Sequence, residues 1–254
     1  KHILNLKVLD TNRRRFYPRI RGVILHKVLE KFVLETFDEL PCIEETKQIL
    51  RKYFYEFSKN LTIPKATLLN WQALLMRSSE GFFLGESIRR RKSSPFKVEA
   101  RGEFEFCLTN GSSFLLNCRA DRIDRDSSGY RIYDYKIGNI SQSDLENFSP
   151  QLDLEAIMLE NGAFRGVGKG HVNSLGLIGV GIKPSSVVKE IPTEEIKCRF
   201  NHLKNLIESM AVDNAPFTAR LCSDINSHFF DDYDHLSRYG EWTETDDYEV
   251  IDFE

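Results

Sequence analysis

The chain has 254 residues, a formal net charge of −3, and 41% hydrophobic and 29% charged residues. That composition is globular and long enough to bury one large core or two small ones, and it excludes a disordered polymer or a uniformly basic nucleic-acid coat. No apolar run approaches the ~20 residues of a membrane-spanning helix, residues 175–182 forming the longest glycine-tolerant stretch.

The first residue is Lys1 rather than Met, and no charged-then-apolar leader follows, which suggests a piece of a longer polypeptide. Arg13, Arg14, Arg15, Arg19 and Arg21 form a basic cluster ahead of the first predicted helix. That helix covers 19–40, where Val23, Leu25, Val28, Leu29, Phe32, Val33 and Phe37 recur near helical spacing. Residues 43–60 and 64–92 read as two further helices, with Pro64 suited to a first turn and Arg89-Arg90-Arg91-Lys92 at the end. From residue 97 the texture changes to strands. One spans 97–108, Asn110-Gly111 makes a tight turn, and a second strand runs through Asp121 to 125. Asp126-Ser127-Ser128-Gly129 is the next turn, and a third strand over 130–137 completes an antiparallel meander. Pro150 then precedes a short helix over about 151–160, followed by a glycine-rich strand over 171–183 and an amphipathic helix over 193–212. The order predicts an α/β (α+β) fold, one central mixed sheet flanked by helices. We read 1–254 as a single domain: a helical N-terminal part over 1–93, sheet and flanking helices over 94–213, and an irregular acidic C-terminal tail over 214–254.

The hairpin over 113–137 carries the chemistry. If it is symmetric about Ser127 and Ser128, Asp121 falls opposite Asp134. Facing residues have Cβ atoms about 4.5–5.5 Å apart, and two carboxylates held so repel unless a cation lies between them. Lys136 is two residues beyond Asp134, hence on the same face. Two acids and an ammonium can hold a hard divalent ion with a water beside it. The bland alternative is a surface hairpin of alternating charges. His26, on the first helix, is the second anchor; Glu30 one turn on shares its face and could orient it toward the Asp121/Asp134 pair. The competing reading is a partly buried histidine satisfied by Glu30 alone. Glu99, on the strand before, is a further candidate acid.

Four motifs then appear in order: Arg-Gly-x-x-x-His-x-x-Leu-Glu at 21–30, Ala-Asp-Arg-Ile-Asp at 120–124, Asp-Tyr-Lys-x-Gly at 134–138 and Gln-Leu at 151–152. Together they resemble the RecB-type branch of the PD-(D/E)XK nuclease superfamily, with its restriction-endonuclease-like core. More narrowly they resemble the C-terminal nuclease domain of AddB-type double-strand-break repair proteins, a likeness supported by runs 150–156, 217–221 and 233–242. The resemblance implies a metal-dependent DNA exonuclease within a helicase–nuclease complex that resects DNA breaks in the bacterial cytoplasm. It implies an AddA-type helicase–nuclease subunit as partner, a single-stranded DNA end as substrate and no membrane. His26, Asp121, Asp134 and the Tyr135 carbonyl would ligate Mg²⁺, with Mn²⁺ able to substitute. Lys136 would activate water and stabilise charge on the phosphate, and Gln151 would position the strand. Arg119, Arg122, Arg89 and Arg90 are the candidate DNA contacts.

Departures from the family pattern are Cys118 where glycine is common, which would stiffen a turn, Ile137 after the lysine, and Glu155 in place of a tyrosine. Some relatives hold an iron–sulfur cluster through four cysteines near the C-terminal end. Here Cys42, Cys107, Cys118, Cys198 and Cys222 are scattered without ligand spacing, so no iron–sulfur cluster and no disulfide framework is expected. They read as reduced thiols. Gly168-Lys169-Gly170 lacks the remainder of a phosphate loop and reads as a turn, so no ATP site is expected in this chain.

Overall fold

The computed structural model describes residues 17–138, 140–180 and 185–212. The chain divides into two compact units, Phe16–Asn205 and Lys1–Arg15 with Leu206–Glu254. Of the second, the described residues are 206–212, around the end of the last helix. The cluster Arg13 to Arg15, Cys222, the runs 217–221 and 233–242 and the acidic tail all lie outside the described residues.

Helix α1 (Tyr17–Glu35) buries Ile24, Leu25, Val28, Leu29, Phe32 and Val33, a stripe repeating every four residues that faces the sheet. Val23 and Phe37, predicted for that stripe, are 51% and 36% exposed. Val23 falls on the far side of the helix, and Phe37 lies past its end. In α2 (Ile43–Ser58), Glu45 turns back to accept from the Cys42 N–H at 3.3 Å, capping the first turn. Pro64 stands just before α3 (Lys65–Arg90), as its cap rather than inside it.

The sheet has the order β1-β2-β3-β4-β5. β1 (Ser94–Cys107), β2 (Ser113–Arg125) and β3 (Tyr130–Ile137) form the predicted antiparallel meander. Helix α4 (Gln142–Glu160) then crosses over to β4 (Val172–Val180), which runs parallel to β3. β5 (Ser185–Glu190) closes the edge antiparallel to β4, and α5 (Thr193–Met210) follows. The mixed, helix-flanked sheet of the sequence prediction is therefore the observed one. Strand β5 has no sequence signal because four of its six residues are polar. The short predicted helix at 151–160 is the second half of α4; Pro150, which usually bars a helix interior, hid the first half. The start was marked by Ser141, whose hydroxyl accepts from the Asp144 N–H while Asp144 returns the bond.

Two cores form, one on each face. Residues of α4 and α5, such as Leu152, Ile157 and Ile196, pack on Ala100, Ala120, Ile123 and Ile132. Residues of α1 to α3, such as Leu29, Phe54 and Phe82, pack on Tyr133, Tyr135 and Ile178. At the β2–β3 turn, Asp126 Oδ1 accepts from Ser128 N at 2.7 Å and Gly129 N at 3.0 Å. Gly129 is required there, since a Cβ would stand 2.4 Å from the His171 carbonyl oxygen. Gly168-Lys169-Gly170 lies in the loop leading into β4, where Gly170 packs on the Tyr130 ring.

Candidate active site

The β2–β3 ladder pairs Arg125 with Tyr130 and ends at Arg122 with Tyr133, so the next facing positions are Asp121 and Asp134. The strands separate there. β2 continues with β1 as a ribbon, while β3 continues with β4 alone. In place of the next ladder bond, Asp121 Oδ2 accepts from the Tyr135 N–H at 2.9 Å. Across β1, Val98 pairs with Arg122 and Ala100 with Ala120, which sets Glu99 opposite Asp121. Glu99 has a left-handed φ of 49°. The pleat reverses at this point: Val98 packs toward α1–α3 and Ala100, two residues on, toward α4. Glu99, Asp121 and Asp134 thus form one row across three strands at the mouth of a fork.

Helices close the fork from both faces. From α1, His26 Nδ1 lies 3.2 Å from Asp121 Oδ2, with the imidazole set edge-on to the Tyr135 ring. The partner that His26 meets is Asp121 rather than the expected Glu30, whose charge acts on Glu99 instead. From α4, Gln151 Nε2 donates to Asp134 Oδ1 at 2.9 Å and to Glu155 Oε1 at 3.1 Å. Lys136 Nζ is 2.8 Å from Asp134 Oδ2, and Arg119 Nε is 2.8 Å from Glu99 Oε2. The structure therefore gathers His26, Glu99, Asp121, Asp134, Tyr135, Lys136 and Gln151 from four separate elements and a helix beyond them.

The electrostatics match a site crowded with acids. Burial pushes the Asp134 carboxyl up, and the neighbouring Asp121 pushes it further, against the pull of Lys136 and Gln151. Glu99 is raised by burial despite Arg119. His26 is pulled down by burial, but the hydrogen bond and charge of Asp121, with Asp134 and Glu99, leave it raised overall. A divalent cation fits this donor set. One ligand atom each from His26, Glu99 and Asp121 lie within 4.8 Å of one another, and imidazole with carboxylates suits a hard or borderline ion. Asp134 stands beside that trio rather than in it, turned to Lys136 and Gln151.

A family model for the PD-(D/E)XK nuclease superfamily matches residues 1–224. The chain belongs to the PD-(D/E)XK nuclease superfamily. Membership points to metal-dependent phosphodiester hydrolysis with DNA as the substrate class, and the five-stranded mixed sheet agrees with the superfamily's fold. No curated protein matches the chain. Among solved structures, one titled "Crystal structure of SSO0001" is 13% identical, covers 74% of this chain and 87% of that one, and superposes with a TM-score of 0.30, too loosely to support any argument. Among the described residues, no helix is long and apolar enough to cross a membrane.

Within this nuclease-superfamily site, sequence reasoning undervalued two acids. Glu99 was signalled by the same counting that pairs Asp121 with Asp134, because a hairpin centred on Asn110 sets it opposite Asp121. Glu155, noted only as a departure from tyrosine, is 1% exposed, and its Oε2 has no hydrogen-bond partner. Burial, with the nearby charges of Asp134 and Asp121, lifts its carboxyl to about 8. The signal was its place one helical turn after Gln151. Cys118 stiffens no turn; it pairs with Gly102 in mid-strand, and burial lifts its thiol to about 12.

Three predicted DNA contacts are corrected. Arg122 is fully buried, donating to Asp124 Oδ1 at 2.6 Å and Glu86 Oε2 at 2.8 Å. Arg89 is buried on Glu86 at 2.9 Å. Arg90 is held by Glu86 at 2.8 Å, the Thr36 carbonyl and Thr36 Oγ1. Their charges are consumed inside the protein because Glu86 and Asp124 are buried too, and an unpaired buried acid would be unfavourable. Arg119, on the solvent side of the fork, stays accessible to a ligand.

Proposed function

We propose that this chain is a metal-dependent DNA exonuclease module of a helicase–nuclease complex that resects double-strand breaks, working beside an AddA-type subunit. The observation that carries the hydrolytic part is the fork between β2 and β3, where His26, Glu99, Asp121, Asp134, Lys136 and Gln151 converge. The narrower AddB-type reading rests on the order of the four sequence motifs. His26, Asp121, Asp134 and the Tyr135 carbonyl would hold Mg²⁺ or Mn²⁺, with Glu99 as an added ligand in this chain. When bound, the ion would lower the pKa of a water and offset charge on the scissile phosphate.

The protein's own groups have distinct tasks in this proposal. Asp121 joins His26 to the backbone of β3, so one carboxylate ties the two ligand-bearing elements together. Gln151 holds the Asp134 carboxylate from one side and Lys136 holds it from the other. The Lys136 ammonium can pass from Asp134 to the phosphate as charge builds on its oxygens.

The test is single-stranded DNA cleavage with Mg²⁺ or Mn²⁺ against an EDTA control, with Asp134→Ala and Lys136→Ala beside the parent. Metal-dependent cleavage lost in both variants, with circular dichroism unchanged, is the expected result. Cleavage at the parental rate by Lys136→Ala in single turnover would refute the mechanism. No cleavage and no metal-dependent rise in melting temperature in the parent would favour a non-catalytic scaffold that guides DNA or braces a partner.

A further inference from the structure

Arg21, half-buried near the start of α1, differs from the other arginines packed into this fold. Its Nε is shut off from solvent without a hydrogen-bond partner, and burial pulls its pKa down, with no carboxylate among the described residues to raise it. Arg89, Arg122 and Arg131, by contrast, each lie on an acid within 3.0 Å. A guanidinium partly withdrawn from water without a counter-ion is unfavourable, so this half-buried charge costs the free protein some stability while the side chain stays within reach of a ligand.

The position of Arg21 links it to the fork. It precedes His26 by five residues, about 7.5 Å along α1 at 1.5 Å per residue. Gly22, its neighbour, packs on Ile137, with the Ile137 Cδ1 3.7 Å from where a Cβ would be. Ile137 directly follows Lys136, so this end of α1 rests on β3 beside the lysine of the proposed site. The cations nearer the acids are already engaged: Lys136 with Asp134 and Arg119 with Glu99, each at 2.8 Å.

We propose that Arg21 binds a backbone phosphate of the DNA strand, close to the phosphate presented at the fork. The planar guanidinium fork suits two phosphate oxygens at once. Duplex DNA rises about 3.4 Å per nucleotide along each strand, so a spacing of about 7.5 Å places that phosphate about two nucleotides from the fork. A row of carboxylates repels a polyanion, and a cation held outside the row, with no acid of its own, offsets that repulsion. The assignment rests on the nuclease reading above.

The test uses a fluorescein-labelled oligothymidylate in Mg²⁺ with an Asp134→Ala background to silence cleavage, comparing Arg21, Arg21→Met and Arg21→Lys across a salt series. Arg21→Met should weaken binding by about tenfold and reduce the slope of log affinity against log salt by about 0.7, the share of one single-strand phosphate contact. Arg21→Lys should keep the slope with weaker affinity. In the absence of DNA, Arg21→Met should melt at a higher temperature than the parent, because the unpaired charge is gone. A purely structural arginine would do the reverse, lowering the melting temperature with the slope unchanged, and that pair of results would overturn the proposal. Metal-dependent cleavage by the otherwise unaltered protein is measured in parallel: if it is present and Arg21→Met binds with the parental slope, the Arg21 assignment alone falls. If the background protein binds no DNA and the unaltered protein cleaves none, both readings fall together.

Discussion

Glu86 is the residue whose removal most directly tests how the fork is held. Its fully buried carboxylate receives Arg89 at 2.9 Å, Arg90 at 2.8 Å and Arg122 at 2.8 Å. In Glu86→Ala, Arg122 keeps both bonds to Asp124, at 2.6 and 2.9 Å, and Arg90 keeps Thr36. Arg89, 6% exposed, loses its carboxylate and becomes an uncompensated buried charge. Breaking a buried pair from one side costs about 3–5 kcal/mol. Glu86→Gln keeps the volume and one carbonyl acceptor but exchanges charge-assisted bonds for neutral ones, a loss of roughly 1 kcal/mol per bond and about 2–4 kcal/mol over the three. Urea unfolding at pH 7 measures both, and Glu86→Met with Arg89→Met together should be less destabilised than Glu86→Met alone. The acid limb adds a second reading. The three arginines hold the Glu86 carboxyl below its ordinary range against the penalty of burial. Its contribution is therefore complete above the unfolded value of about 4.3 and is lost as pH falls toward the folded value. A loss under about 1 kcal/mol in Glu86→Ala, or a double variant no better than the single, would refute this account of the cluster.

Glu155 and Gln151 should behave as one unit, because Gln151 Nε2 spends one hydrogen on Asp134 and the other on Glu155. Glu155→Ala should slow single-turnover cleavage about as much as Gln151→Ala, and the double variant little more than either; additive losses would show that Glu155 acts elsewhere. Asp126→Ala removes the acceptor of Ser128 N, Gly129 N and Arg131 Nε, so unfolding free energy should drop by about 1–2 kcal/mol at pH 7. Burial raises the Asp126 carboxyl, but Ser128 and Arg131 bring it to about 2, so the parent's advantage over this variant should shrink between about pH 4 and pH 2. An equal gap at pH 7 and pH 2 would contradict that linkage. Asp121→Asn should raise the Mn²⁺ concentration needed to shift the melting temperature, since the carboxylate that faces both His26 and Glu99 loses its charge; an unchanged metal midpoint would remove Asp121 from the proposed ligand set.

The amino-acid sequence by itself determined the order of elements and the register of the central hairpin. Periodicity of 3.6 and of 2, with Asn110-Gly111 and Asp126 to Gly129 as turns, places α2, α3 and the meander to within about three residues and α1 to within five, its end falling at Glu35 rather than 40. The register follows from turn position alone, which is why Asp121 and Asp134 could be set opposite each other by counting. Local signals misled at Pro150, where packing of α4 across the sheet outweighs the missing N–H, and at the short, mostly polar β5.

Tertiary structure decided what each charged residue is for. Arg119 and Arg122 are three positions apart on one strand and look alike in sequence. The reversal of the pleat at Asp121 sends Arg122 inward to Glu86 and Asp124, while Arg119 faces the fork with Glu99. No local pattern records that reversal, because it depends on Glu99 adopting a left-handed φ across the ladder and on β2 parting from β3. His26 likewise meets Asp121 rather than Glu30 because α1 packs against both β1 and β3, a contact between residues nearly a hundred positions apart. Spacing within one element is set by backbone geometry and can be counted along the chain. Which element supplies a charge with its partner is set by long-range packing and the energy of burying that charge, and only the folded chain settles it.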